Sequence, residues 1–592
     1  MRSMWRNLRL TFRTVADNLV DDPFQLYLQV SRRLPAKYVI LAARLLLATF
    51  PANSTAIPLV MAELLRGDHA GMTRRLQLAL EGSVSSGKAA KLAELALAAN
   101  NLAVADQFLK ISVGARGHAA ALSRRYWHVG AVSKAIAALG AGSSRTRPGR
   151  QRARLESEQA LLRGWAPDLS PVRTEPVPNR VLHLLTNSMP HTQSGYAQRS
   201  HSILMAQQEA GWETLAVTRL GYPVLVGKLG ASQEDLVDGV CYRRLLPARL
   251  EATATGRLQQ QAEETLRVAQ EFRPSIIHTT THYVNGVVAR AVAESLGIPW
   301  VYEVRGQLAD TWASTRGIDA KESERYRLFQ ERETEIMRSA DRVITLGQAM
   351  KENILAAKVP EGNVLVAPNA IGGDYLLKPR EVSEARGRLG LEQDAQIIGT
   401  ISSLVPYEGL DDLIAAFALL APSNPQLRLL VVGTGVALPS LQEQARRSGF
   451  GHRITFTGLV PRARASLYHQ ALDVFVVPRK NLDVTRSVTP LKPVEALASA
   501  RPVVASALPA LAEIVDDGRT GLLVPPEDPA ALADALASLL AHPSLRRSMG
   551  TSGRERMLAT RTWEANAAVC VQVYSTLATE NQGESASVRK KG

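Results

Sequence analysis

Cysteine is nearly missing from this chain: Cys241 and Cys570 are the only two in 592 residues. They stand far apart in sequence, so they form neither a disulfide framework nor a metal–cysteine spacing, and this points to a reducing compartment. Aromatic residues make up only 5% of the chain. No basic stretch interleaves with stacking rings, which argues against nucleic acid as a partner. Long apolar runs are lacking too. Residues 38–50 form the longest, but Arg44 breaks it and it falls short of the ~20 residues needed to span a bilayer. The amino terminus carries no signal-peptide cleavage pattern. Together these absences predict a cytoplasmic protein.

Positive charge, by contrast, is in excess: Lys and Arg number 70 against 55 Asp and Glu, giving a formal charge of +15 and a pI near 9.9. Anionic partners follow from that balance. At 592 residues and 46% hydrophobic content the chain can bury more than one core, and domain-size priors favour about three units. Residues 1–142 are rich in Ala and Leu and read as short helices, paired like degenerate tetratricopeptide-like repeats, with a possible use in holding a protein partner. Residues 143–179 are basic and contain proline, and read as a linker without a packed core. Beyond it strands alternate with helices, the pattern of doubly wound parallel sheets in an α/β class. Two such units are expected at 180–368 and 369–560, then a helix at 561–579 and a disordered tail at 580–592.

Residues 475–506, FVVPRKNLDVTRSVTPLKPVEALASARPVVAS, are the most informative stretch. Phe475, Val476 and Val477 form a short apolar run ended by Pro478, as in a core strand leaving its sheet. Four cations follow, Arg479, Lys480, Arg486 and Lys492. Pro490 or Pro493 suits the first turn of a helix, with Glu495 inside that turn. Unpaired amides and a partial positive charge at such a start fit it to hold a diphosphate. Glu495 would then accept both hydroxyls of a ribose.

At this place the chain resembles the family 4 retaining glycosyltransferases of the GT-B fold, also called glycosyl transferases group 1, and most closely a bacterial exopolysaccharide or envelope-type subset. Glu495 and the following Ala-Leu-Ala-Ser-Ala-Arg-Pro-Val-Val-Ala-Ser match the second of the family's two glutamates and the segment after it. The first glutamate falls on Ser487, and Ser487, Val488, Thr489 and Pro490 replace the family's Gly-rich run. Further matching pieces lie at residues 181–218, with Ser194-Gly195 in a loop, at 275–306, at 399–417 and at 521–536. In the third of these the family keeps an arginine and a lysine against the donor diphosphate, where this chain has Ser403 and Glu408.

The resemblance implies two facing Rossmann-like sheets preceded by the all-α region, with an acceptor domain first and a nucleotide-sugar donor domain second. It implies a UDP- or GDP-linked sugar donor, no further cofactor, and a glycan or lipid-linked acceptor bearing a hydroxyl. Glu495, Lys492, Leu491, Thr489, Gly195, Arg479, Lys480 and Arg486 are the expected donor-side residues, with Lys492 the first candidate to replace the missing clamp. Tyr196, Arg199 and Arg305 are expected on the acceptor side. His282, in a His-Tyr pair, is expected at the catalytic position, while His278 ends an apolar strand and reads as packed. No third ligand stands near these histidines and no Asp-x-Asp triplet occurs, so no metal site is expected. Gly433 and Gly435 lack a third spaced glycine and read as a strand-end turn. The alternative to an enzyme is a degenerate, non-catalytic scaffold of the same fold, suggested by Ser403, Glu408 and Ser487.

Trp5, Leu8, Phe12, Val15 and Leu19 recur at helical spacing among Arg2, Arg6, Arg9 and Arg13. Two uses stand open: a stripe that packs on the next helix, or one that lies on an anionic membrane surface at the inner face of the cell membrane.

Overall fold

The computed structural model describes residues 2–21, 36–51, 53–143 and 146–589. Among these, eight strands build a first sheet: β1 (Arg180–Leu185), β2 (Glu213–Thr218), β3 (Glu234–Val237), β4 (Val240–Arg244), β5 (Ile276–Thr280), β6 (Trp300–Val304), β7 (Arg342–Thr345) and β8 (Val364–Val366). Their order is β3-β4-β2-β1-β5-β6-β7-β8, parallel except for the β3–β4 hairpin. Asp238 and Gly239 turn that hairpin with φ of 48° and 82°, the left-handed pair a two-residue turn requires. The second sheet has six strands among the described residues: β9 (Gln396–Ile401), β10 (Leu427–Val432), β11 (Ile454–Gly458), β12 (Val474–Val477), β13 (Val503–Ser506) and β14 (Gly521–Val524). Its order is β11-β10-β9-β12-β13-β14, parallel throughout. Central strands β5, β6, β12 and β13 are buried along their whole length, because helices cover both faces. This is the expected two-sheet arrangement.

Loops at the carboxyl ends of the two sheets meet. Gln307, after β6, receives a hydrogen bond of 3.1 Å from Ser487 Oγ, which follows β12. Glu513, beyond β13, accepts from the backbone N–H of Gln348 at 2.8 Å and of Ala349 at 2.7 Å, after β7. A side chain at Gly347 would bring its Cβ within 2.4 Å of Glu513 Oε2, so the glycine permits this approach. The helix Trp563–Arg589 returns to the first sheet, where Cys570, Val573, Tyr574 and Leu577 pack with Val181, Trp212, Ile276 and Val301.

The helical region holds six helices between Ile57 and Ala137, all short, around Val60, Met72, Leu76, Leu92 and Phe108. It docks on the first α/β unit. Ser133 N donates to Glu324 at 2.7 Å, and Arg325 lies 4.9 Å from the Trp127 ring and 5.5 Å from that of Trp312.

Two expectations need correction. Residues 143–179 are not a linker without a core, since they contain the helix Arg147–Leu162. Thr146 caps its start by accepting from Gly149 N at 3.2 Å, and Leu161 and Leu162 are buried in the core of the first unit. The arginines suggested disorder, but Arg150, Arg152 and Arg154 are half-buried in a helix whose last turn is apolar. Residues 580–589 likewise continue the helix Trp563–Arg589 instead of forming a disordered tail, as no proline interrupts the run. Residues 590–592 lie outside the described residues.

Candidate active site

The donor side is built where β12 leaves its sheet. Pro478 ends the strand, a short helix Asp483–Ser487 follows, and the helix Lys492–Ala498 opens with Pro493 in its first turn. Glu495 is buried within that turn, and Lys492 Nζ donates to Glu495 Oε2 at 2.8 Å. Leu491 is half-buried just before the helix. Thr489 is buried, and its carbonyl accepts from Asn369 Nδ2 at 2.9 Å. Its Oγ1 is buried without a hydrogen-bond partner among the described residues, a costly state that a ligand hydroxyl or phosphate oxygen would relieve.

The remaining cations are less free than the sequence suggested. Arg479 reaches Glu408 with Nη2 at 2.8 Å and Nε at 3.1 Å, and donates from Nη1 to the Val488 carbonyl at 2.8 Å. Lys480 Nζ lies 2.8 Å from both Asp411 Oδ2 and Asp412 Oδ2. Arg479 and Lys480 therefore meet carboxylates of this chain, which corrects the picture of open diphosphate contacts. Arg486 is exposed on the short helix. Ser487 is buried and spans to Gln307, and Ser403 is exposed. Gly433 and Gly435 press against the carbonyls of Ser402 and Leu404, where a Cβ would come within 1.9 and 2.2 Å, so they form a turn that shapes this loop.

On the facing side, Ser194 caps the helix Gly195–Glu209 through Ala197 N at 3.3 Å. Gly195 is exposed, and a Cβ there would meet nothing within 4 Å. The Tyr196 hydroxyl pairs with Thr280 Oγ1, and its ring lies 4.9 Å beneath the Arg305 guanidinium. Arg305 donates to Ser200 Oγ at 2.7 Å and to Glu303 Oε2 through Nε at 2.8 Å.

Arg199 is wholly engaged. It donates to Glu303 Oε1 at 2.9 and 2.7 Å, to the Pro368 and Ala367 carbonyls at 3.0 and 2.7 Å, and to Asn369 Oδ1 at 3.2 Å. These bonds use all the N–H groups a guanidinium has, so Arg199 ties the crossover between the units and has no donor left for an acceptor. That corrects its expected acceptor-side role. Burial alone would raise the Glu303 carboxyl, but Arg305 and Arg199 beside it outweigh that and hold it well below the usual carboxylate range.

His282 stands at the cleft end of β5 as the cap of the helix Tyr283–Leu296, its Nδ1 accepting from Val284 N at 3.5 Å. Its ring packs edge-on to Tyr283 and Phe329. Burial first, and the nearby Arg219 charge second, lower its pKa to about 4. It is therefore neutral near pH 7, and with Nδ1 accepting, Nε2 carries the proton as a donor. His278 is buried instead, stacked 4.8 Å from His183 and bonded to the Tyr574 hydroxyl.

Sequence reading missed Gln307, Glu303, Asn369 and Glu513. Only the Arg479–Glu408 pairing had a usable signal, opposite charges at the carboxyl ends of two strands that turn out to be neighbours.

Residues 194–370 match the family described as "Glycosyl transferase 4-like domain", and residues 381–556 match "Glycosyl transferases group 1". A D-inositol 3-phosphate glycosyltransferase of Segniliparus rotundus is 26% identical over 442 residues, covering 71% of this chain and 94% of its own. A GDP-mannose-dependent alpha-(1-6)-phosphatidylinositol monomannoside mannosyltransferase of Mycolicibacterium smegmatis is 30% identical over 239 residues, 40% of this chain and 62% of that one. In fold the chain is similar to the sucrose-phosphate synthase of Thermosynechococcus elongatus, with a TM-score of 0.57, 24% identity, and coverage of 68% of this chain and 100% of that one. Anabaena HepE, solved with UDP-glucose, gives a TM-score of 0.53 at 17% identity, covering 67% of this chain and 99% of its own. The chain thus carries a glycosyl transferase 4-like domain followed by a glycosyl transferases group 1 domain, and is a glycosyltransferase.

Proposed function

We propose that this glycosyltransferase moves a hexose from a UDP- or GDP-linked donor to a hydroxyl acceptor with retention of anomeric configuration and without a protein-bound metal. The carrying observation is the loop after β12, where a buried Glu495 holds Lys492 at 2.8 Å and Thr489 keeps a buried hydroxyl unpartnered among the described residues. Ribose hydroxyls would take Lys492's place on Glu495. Lys492, set free, would meet the diphosphate, and the Thr489 hydroxyl would gain a partner. His282 would donate from Nε2 to a sugar hydroxyl near the reacting carbon. Catalysis then comes from orientation and from stabilising the departing diphosphate.

The names of relatives support this range of substrates: one is a D-inositol 3-phosphate glycosyltransferase, another a GDP-mannose-dependent mannosyltransferase. We place the reaction in cell-envelope or extracellular polysaccharide assembly, on a glycan or lipid-linked acceptor, with the protein peripheral to the inner face of the cell membrane. Incubating the purified chain with UDP- and GDP-linked hexoses and following donor loss by mass spectrometry tests the reading. At sub-saturating donor, Glu495→Ala should slow the loss roughly tenfold to a hundredfold. The Arg479–Glu408 and Lys480–Asp411 pairs favour one rival, a non-catalytic scaffold. That rival binds nucleoside diphosphate yet neither transfers nor hydrolyses any donor.

A further inference from the structure

The helix Arg2–Asp21 is held to the first α/β unit by one edge. Asn7 is fully buried there, with Nδ2 donating to the Leu229 carbonyl at 2.9 Å and the Ala231 carbonyl at 2.8 Å, and Leu10 joins the core. The apolar stripe occupies the other side. Trp5 is 72% exposed and Phe12 75%, and Leu8, Val15 and Leu19 are exposed with them. At 3.6 residues per turn these five share one face, roughly opposite Asn7 and Leu10, and Arg2, Arg6, Arg9 and Arg13 fall along one flank between the two. The next described helix, Ala36–Ala48, repeats the pattern: Leu41 and Leu45 are exposed one turn apart, with an exposed Arg44 beside them. No described helix is long and apolar enough to cross a membrane.

We propose that the outward face of the helix Arg2–Asp21 is an interfacial docking surface for an anionic lipid bilayer, a surface that rests on the peripheral placement proposed above. The occupant follows from chemistry. A Trp and a Phe set on an apolar stripe suit the boundary between headgroups and acyl chains, and flanking arginines suit anionic headgroups. The formal charge of +15 adds a long-range attraction of the same sign. Because Asn7 and Leu10 fix the helix from behind, the stripe is presented outward without having to unfold from the protein.

Sedimentation of the full chain with phosphatidylcholine vesicles, with and without phosphatidylglycerol, at low and high salt, tests this surface. Expected is pelleting with the anionic vesicles at low salt and release at high salt. Trp5→Ser/Phe12→Ser should weaken it roughly a hundredfold. Arg9→Ala should weaken it about fivefold. Both changes are on exposed side chains, and unchanged thermal midpoints would verify that the variants fold. The proposal is overturned if the unaltered chain stays in the supernatant at low salt, or if the double variant pellets as well as it does. It is also overturned if the stripe is covered by a second copy, seen as a dimer that the double variant abolishes while vesicles recruit neither. Donor consumption by the same preparations keeps the two readings apart: lost pelleting with intact transfer removes only the surface, and intact pelleting without transfer removes only the activity.

Discussion

Arg479 grips Glu408 with two parallel hydrogen bonds of 2.8 and 3.1 Å, and so joins the loops that leave β12 and β9. The two strands are neighbours in the sheet. The resemblance calls for a cation at 408. Here the positive charge stands in the loop after the neighbouring strand and the acid has taken the expected place, so a cation remains at this end of the sheet but its charge is balanced.

Removing one member of that pair should be unequal in effect. Arg479→Ala strands a carboxylate whose side chain is 13% exposed, and should destabilise the protein by about 2–3 kcal/mol in urea titration, somewhat below the value for a fully buried pair. Glu408→Gln keeps a partner for the guanidinium and should change stability by less than about 1 kcal/mol. It also deletes a negative charge and should tighten nucleoside diphosphate binding about threefold to tenfold by calorimetry. Unaltered affinity would place the pair away from the diphosphate.

Lys492 and Glu495 should separate by ligand. Glu495→Ala is expected to weaken nucleoside binding by about 1–3 kcal/mol, with Glu495→Gln milder. Lys492→Met should weaken nucleoside diphosphate binding much more than nucleoside binding. Equal losses for both ligands would make Lys492 only the structural partner of Glu495.

His282→Ala should lower kcat about a hundredfold, the loss of one well-placed donor, while KM for the donor moves less. Since the folded pKa lies near 4, below the usual 6.5, the neutral ring stabilises the fold above pH 6.5. That contribution is lost as pH falls from 6.5 through 4. Turnover should therefore show no acid limb from this group between pH 7 and about pH 5. A limb in that window that disappears in His282→Gln would refute the assignment.

Glu333 supplies the opposite slope. Burial pushes its carboxyl up to about 7, while Tyr302 Oη donates to it at 2.8 Å and Tyr283 N at 2.8 Å. Between pH 4.5 and 7 the unfolded chain has released this proton and the folded one has kept it, so stability falls as pH rises through that window and is level above it. The total effect is at most about 3 kcal/mol. Glu333→Gln can accept from Tyr283 and donate to the tyrosine oxygen, and should flatten this part of the urea-midpoint profile.

Legibility in the sequence followed the range of the interactions. Apolar strand runs and helix starts are local, so β1, β2, β5, β6 and β12 and the turn bearing Glu495 fall where their residues put them. Long-range pairing left little trace. Nothing around Arg199 revealed that its five N–H groups would be spent on Glu303 and the crossover, and nothing around Glu513 revealed a cap for a helix in the other unit. Composition misled in Arg147–Leu162, because arginine content by itself does not separate a solvated linker from a docked helix whose arginines are half-buried.

Arg325 between the Trp127 and Trp312 rings has a mechanical consequence. Trp312 belongs to the helix Leu308–Ala313, which follows Gln307, the residue that meets Ser487 across the cleft. The helical region thus acts as a buttress behind one jaw of the cleft. Cutting the chain ahead of β1 would remove Trp127 from Arg325 and take away this contact behind the jaw.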